Sequence, residues 1–320
     1  MDTSEYQLHL HKKLIDDKKV ADSTATAYIK TLVILNGKKP FKNLTFLKKT
    51  DDIDKIIEHY AENTKRAMYA SVVSVLSLYK DKTGFKKPFL FYSEKIKRKD
   101  EPPADTTVKT ERQKDQNWIS WSEIQKIKDE LSIKPTSKTI DGTEYEKLLK
   151  YMILSFFTDI PPRRNKDYLE MYIVKKWNNE MPTDKNYLDV STRKMSFCAY
   201  KTSKKYGTQT LDIPDSLWIV IQSYLKYHPL WKVVANRKDP VKLLVNYDGS
   251  PISAVNSITR ILNTVFGRKM GSSALRHIYL SDKYGDDLKE RQKDSEAMGH
   301  SLNIQKEYIK LEEPKEKKTE

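Results

Sequence analysis

Four short segments carry residue types that can do chemistry on a phosphate. In the first, Thr158-Asp159-Ile160-Pro161-Pro162-Arg163-Arg164-Asn165-Lys166-Asp167-Tyr168-Leu169, an apolar stretch ends, a turn follows, and an Arg opens the next helix with an acid three residues on. The second is Tyr200-Lys201-Thr202-Ser203-Lys204-Lys205, between two strand-like runs. The third is Ser272-Ser273-Ala274-Leu275-Arg276-His277. The fourth is Met298-Gly299-His300-Ser301, with Tyr308 eight residues beyond His300. An Arg is a rigid, permanently charged fork that grips a phosphate bidentately. Positive charge fixed around a transferring phosphoryl group stabilises the transition state. A tyrosine hydroxyl, with an ordinary pKa of about 10, attacks only when a base or a positive surrounding helps it ionise. A lysine beside the phosphate can protonate a leaving oxygen. Taken singly, each feature is ordinary. An Arg followed three residues later by an acid is usually a surface pair, and Tyr308 is one of 19 tyrosines. Lys201, Lys204 and Lys205 all compete for one role.

In this order the four segments resemble the catalytic domain of the tyrosine recombinase (integrase) family, over about residues 116–312. That family carries an Arg with an acid three residues on, a Lys in a β-hairpin, a His-x-x-Arg box, then Gly-His and a nucleophilic Tyr. The resemblance implies that Arg164 and Arg276 clamp the phosphate and that His300 hydrogen-bonds it. It implies that Lys201 protonates the leaving 5′-oxygen and that Tyr308 takes up the cut strand as a 3′-phosphotyrosine. Resealing would then need neither ATP nor metal, so no cofactor is expected. The chain has no Walker Gly-Lys-Ser/Thr loop and no dense acidic cluster for paired Mg²⁺. Ser273 stands where the family has the first His of its box; a Ser can hydrogen-bond a phosphate but is a poor base. His277 follows Arg276. The interval from His300 to Tyr308 is one residue shorter than the family's, and Pro161-Pro162-Arg163-Arg164 replaces a Gly-containing turn. Arg163 is therefore a rival; Arg164 is preferred because Asp167 and Leu169 then fall at the acid and apolar places. Tyr279 and Tyr284 are rival nucleophiles upstream of Gly299-His300. The implied partners are double-stranded DNA at attachment sites and Holliday junctions, bound by a homo-tetramer that is a monomer or weak oligomer when free. An integrase of a virus or mobile element fits first. A type IB topoisomerase-like relaxing enzyme and a catalytically weakened DNA-binding relative are the alternatives.

The elements that must position these residues fall into two parts. Helical spacing runs over residues 4–16, 22–37, 54–60 and 65–79, with Asp22-Ser23-Thr24 and Asp51 as candidate caps. Residues 96–115 are charged, contain prolines and read as a linker. Beyond them, Ser120 or Ser122 caps a helix reaching Leu131, and residues 145–157 form an apolar core helix. Strand-like alternation marks residues 186–191, 195–200 and 208–213, a three-stranded meander with residues 201–207 in its second turn. After Pro214 the chain reads as helical, with a charged tail over 312–320. The expected fold is mainly α with a small antiparallel β-meander (α+β). It comprises a helical core-binding domain over 1–95, a linker over 96–115 and a catalytic domain over 116–320.

Composition points the same way. The 320 residues carry a formal charge of +15, and such a surplus on a folded chain favours polyanionic partners. In the first domain Lys65 and Arg66, and at the linker Lys97, Arg98 and Lys99, are candidate DNA contacts. The expected arrangement is a C-shaped clamp with one domain on each side of a duplex. Cys198 is the single cysteine, which rules out an internal disulfide and leaves no Cys-rich zinc site. No signal-like leader or long apolar run appears. A reducing compartment is expected (cytoplasm, nucleus or viral factory), with no membrane partner.

Overall fold

A computed structural model of the chain describes residues 3–97, 109, 110, 113, 116–231, 240–254 and 256–298. It divides into two compact units, residues 1–106 and 107–320.

The first unit holds helices α1 (Thr3–Lys18), α2 (Asp22–Leu35), α3 (Thr50–Glu58), α4 (Glu62–Leu76) and α5 (Lys86–Ile96). Leu10, Leu14, Leu32, Leu47, Ile57, Val72, Val75 and Tyr92 are fully or almost fully buried at its centre. The Tyr92 hydroxyl donates to the Leu47 carbonyl at 2.9 Å and so satisfies its one polar atom. The expected caps are displaced. Ala21 and Lys49 occupy the N-cap positions of α2 and α3, with no side-chain cap. Asp22 and Asp51 lie in the first turns instead, where negative charge meets the positive end of the helix dipole. Helix α5 was not anticipated from the sequence; the Lys86-Lys87-Pro88 start conceals it, although Pro is tolerated in a first turn.

In the second unit Ser120 starts α6 (Trp121–Leu131) with a capping box, its hydroxyl accepting from the Glu123 N–H at 3.2 Å. Asp141 caps α7 (Gly142–Thr158). Helix α7 is the spine of this unit: Tyr145, Leu148, Leu149, Met152, Ile153, Leu154, Phe156 and Phe157 are all buried. Short helix α8 (Asn165–Leu169) then leads into a five-stranded sheet ordered β4-β3-β2-β1-β5. Strands β2 (Asn186–Asp189), β3 (Lys194–Phe197) and β4 (Gln209–Asp212) are the expected antiparallel meander. Strand β1 (Met171–Val174) adds to it in parallel with β2, and β5 (Val241–Lys242) pairs antiparallel with β1. The sheet is therefore mixed and larger than the sequence pattern shows. A short helix α9 (Ser203–Tyr206) lies in the β3–β4 connection. Helices α10 (Asp215–Tyr227), α11 (Ser257–Phe266) and α12 (Ser272–Ala297) follow. Strand β5 and a bridge between Val245 and Pro251 interrupt the helical run expected after Pro214. Gly267 ends α11 in the left-handed conformation at φ 61°. The fold is mainly helical with a small sheet, and none of its described helices is long and apolar enough to cross a membrane.

Candidate active site

The end of α7 fixes the start of the site. Asp159 is the C-cap of α7, and the Lys128 ammonium of α6 pairs with its carboxylate where both side chains are largely buried. The chain then turns through Ile160, Pro161 and Pro162 and presents two arginines in succession. They do different work. The Arg163 Nε donates to the Asp167 carboxylate at 3.0 Å, and its Nη1 donates to the Gln209 side-chain oxygen of β4 at 3.0 Å. Its guanidinium carbon lies 3.9 Å from the Phe197 ring centroid and 5.0 Å from that of Tyr200. Arg163 is thus a clasp between the turn and both strands flanking the Lys201 connection, held by charge and by cation–π contact. Arg164 is the N-cap residue of α8, is exposed, and makes no ion pair among the described residues.

Beneath them, burial raises the Asp167 carboxyl above the usual carboxylate range, against the pull of Arg163 beside it. Tyr168 is fully buried, stacks on Phe156 with centroids 4.8 Å apart, and donates to the Phe156 carbonyl at 2.9 Å. This anchor sets the direction of α8 and hence where Arg164 points out.

Helix α12 brings the third segment. Arg276 is half-buried, and its Nη1 donates to the Arg163 carbonyl at 3.2 Å. The same Nη1 reaches the Ser272 hydroxyl at 3.4 Å. Burial first, and then the nearby Arg164 guanidinium, lower the Arg276 pKa from its usual value, so the two cations lie within Coulombic reach of each other. Both stay charged, because an Arg does not deprotonate in a protein. Two guanidiniums that repel each other face the single buried carboxyl of Asp167, which is already paired with Arg163. Ser273 and His277 are exposed on the same helix.

Lys201 is exposed at the start of the β3–β4 connection and makes no ion pair among the described residues. The connection is held at both ends rather than being a simple turn. The Tyr200 hydroxyl donates to the Gly207 carbonyl at 2.8 Å, and Gly207 adopts φ 66° and ψ −160°, a combination reserved for glycine. Lys204 and Lys205 are exposed on α9, further along the chain. Of the rival nucleophiles, Tyr279 packs edge-on against Trp121 with centroids 5.5 Å apart, and Tyr284 is half-exposed.

The structure therefore brings Arg164 and Arg276 together and ties the Lys201 connection to the same turn through Arg163. His300 and Tyr308 lie outside the described residues, as do Arg98 and Lys99. Of the other candidate DNA contacts, Lys65 pairs with Glu58 at 2.6 Å and Glu62 at 2.9 Å, so its charge is spent locally. Arg66 and Lys97 are exposed. Sequence reasoning missed three positioning groups: the Lys128–Asp159 pair, the Ser272 partner of Arg276, and Asn186, a buried hub between α8 and the Lys201 connection.

No family model and no curated protein matches the chain. A solved structure described as the crystal structure of XerA recombinase aligns with 98% of this chain and 95% of its own, at 12% identity and a TM-score of 0.33. A likeness of that size establishes neither shared descent nor shared activity.

Proposed function

We propose that the chain is a DNA strand transferase of the tyrosine recombinase kind, cleaving and rejoining double-stranded DNA through Tyr308. The observation that carries this reading is the meeting of Arg164 and Arg276, with the Lys201 connection clasped to the same turn. These residues come from three of the four segments, and Tyr308 follows in the expected order. In the reaction the Tyr308 oxygen attacks phosphorus and loses its proton to solvent or a base. The bond from phosphorus to the 5′-oxygen breaks, and Lys201 gives that oxygen a proton. The two guanidiniums and His300 hold the equatorial oxygens. Rejoining runs the same steps backwards, so the bond energy is kept in the 3′-phosphotyrosine. Action as a tetramer at attachment sites, within a virus or mobile element, completes the proposal.

The test is a pool of nicked suicide duplexes of randomised sequence, analysed on a denaturing gel. A covalent protein–DNA adduct is expected with the full chain and none with Tyr308→Phe. Salt-sensitive binding without any adduct would instead make the protein a DNA-binding relative. Relaxation of plasmid without sequence preference would favour a topoisomerase.

The role of Lys201 gives a separate expectation. Lys201→Ala should slow cleavage about 100-fold, in the range of general acid catalysis. A sulfur in place of the 5′-oxygen leaves without a proton, so it should restore the rate. Failure of that rescue would move the role to Lys204 or Lys205.

A further inference from the structure

Asn186 opens β2 and is fully buried although its side chain is polar. All four hydrogen-bonding positions of its amide are used. Nδ2 donates to the carbonyls of Asp167 at 2.7 Å and Ala199 at 3.1 Å. Oδ1 accepts from the backbone N–H groups of Cys198 at 2.9 Å and Ala199 at 2.8 Å. Its own backbone N–H donates to the Glu170 carbonyl at 2.8 Å.

These partners come from the two places that the chemistry needs side by side. Asp167 belongs to α8, the helix that Arg164 opens. Ala199 lies two residues before Lys201. An apolar residue at position 186 would take these partners from two N–H groups and two carbonyls, of which the Cys198 N–H and the Asp167 carbonyl are buried. A shorter polar one would reach one side only. An Asn in register with Met171 on one neighbouring strand and Phe197 on the other is there to join two pieces of backbone, not to fill space.

We infer that Asn186 is a positioning residue that sets where Lys201 stands relative to Arg164, and so governs protonation of the leaving 5′-oxygen. The inference rests on the reading of Lys201 given above. Asn186 acts through the Ala199 peptide. The Arg163 clasp holds Phe197 and Tyr200, on either side of that peptide, and leaves its register to the amide.

The experiment uses the full chain with Asn186→Ala and Asn186→Ser, at a temperature where near-ultraviolet circular dichroism matches the parent protein. The substrate is a nicked duplex that the parent cleaves, with oxygen or sulfur at the 5′ position of the scissile phosphate. Both variants should cleave the oxygen substrate about 10- to 100-fold more slowly and bind the duplex with unchanged Kd. Both should recover on the sulfur substrate, as is expected of Lys201→Ala. A purely structural role moves both substrates together, and equal loss on both, or no loss, overturns the inference. If the alanine variant does not fold, the serine variant, which keeps one donor and one acceptor, decides. A parent protein that forms no adduct on either substrate sinks the strand-transfer reading and this inference with it. An active parent with unrescued variants sinks the inference alone.

Discussion

Arg164→Ala should lower DNA strand cleavage by about 10³-fold, the scale of losing a donor fixed at developing charge, while leaving thermal stability nearly unchanged. The stability half of the expectation follows from exposure: Arg164 caps α8 through its backbone and makes no ion pair among the described residues. The activity half follows from its exposed charge beside Arg276. Arg163→Ala should behave in the opposite way. It leaves the Asp167 carboxyl, whose side chain is 3% exposed, without its partner. Breaking a buried pair costs about 3–5 kcal/mol; Arg163 is itself 21% exposed, so about 2–3 kcal/mol is expected. The loss should depend on pH. Burial already raises Asp167 above its unfolded value, and removing Arg163 raises it further. A carboxyl with a raised folded pKa favours the folded state when protonated, below the unfolded pKa, and this support is lost as pH rises through the folded value. Arg163→Ala should therefore be closer to the parent in mild acid than at neutral pH. Urea unfolding at both pH values and adduct formation by the folded variants check the pair. Full cleavage by Arg164→Ala would reassign the clamp.

This division between neighbouring arginines marks the limit of what the sequence tells. The acid at position 167 and the Leu at 169 favour Arg164 by spacing, and the geometry leaves Arg164 as the exposed cation. Nothing in the sequence shows Arg163 reaching Gln209, because that bond joins residues 46 apart. The meander was legible because its three strands alternate. Strand β1 was not, because Met171-Tyr172-Ile173-Val174 follows directly on a five-residue helix and is buried at three of four positions. Parallel strands buried on both faces lose the alternation that identifies a strand. Strand β5 has two residues, too few for any period. Helix α5 was hidden by its own lysines. Asn186 shows the same limit at the site itself: an Asn at a strand end usually signals a turn, and only the fold reveals that its amide spans two segments.

A buried histidine at the end of α10 should make the second unit sensitive to acid. His228 caps α10 and is 1% exposed. Its Nδ1 accepts from the N–H groups of Leu230 at 3.2 Å and Trp231 at 3.1 Å. That assignment puts the proton on Nε2, which donates to the carbonyls of Lys242 at 3.1 Å and Leu243 at 3.2 Å. A second proton on Nδ1 would face two donors. Burial pushes the pKa down to about 4, against the upward pull of the two carbonyls. Between the ordinary value of 6.5 and about 4 the unfolded chain takes a proton that the folded chain refuses. The stabilisation from neutral His228 is complete above the unfolded value and falls away as pH drops toward the folded one. At about 1.4 kcal/mol per pH unit this removes about 3 kcal/mol. The effect reaches the arginines through β5. The Lys242 ammonium donates to the Leu169 carbonyl at 2.6 Å and pairs with Glu170 at 3.0 Å, closing the end of the helix that Arg164 opens. Loosening at His228 would release that cap and let α8 turn, so cleavage should fail in acid before the unit unfolds. His228→Asn keeps an acceptor for the two N–H groups and removes the titration. It should be less stable than the parent at pH 7 yet lose much less between pH 6.5 and 4. Parallel stability profiles for the two proteins over that range, measured by urea unfolding, would show that His228 is not the acid-sensitive group.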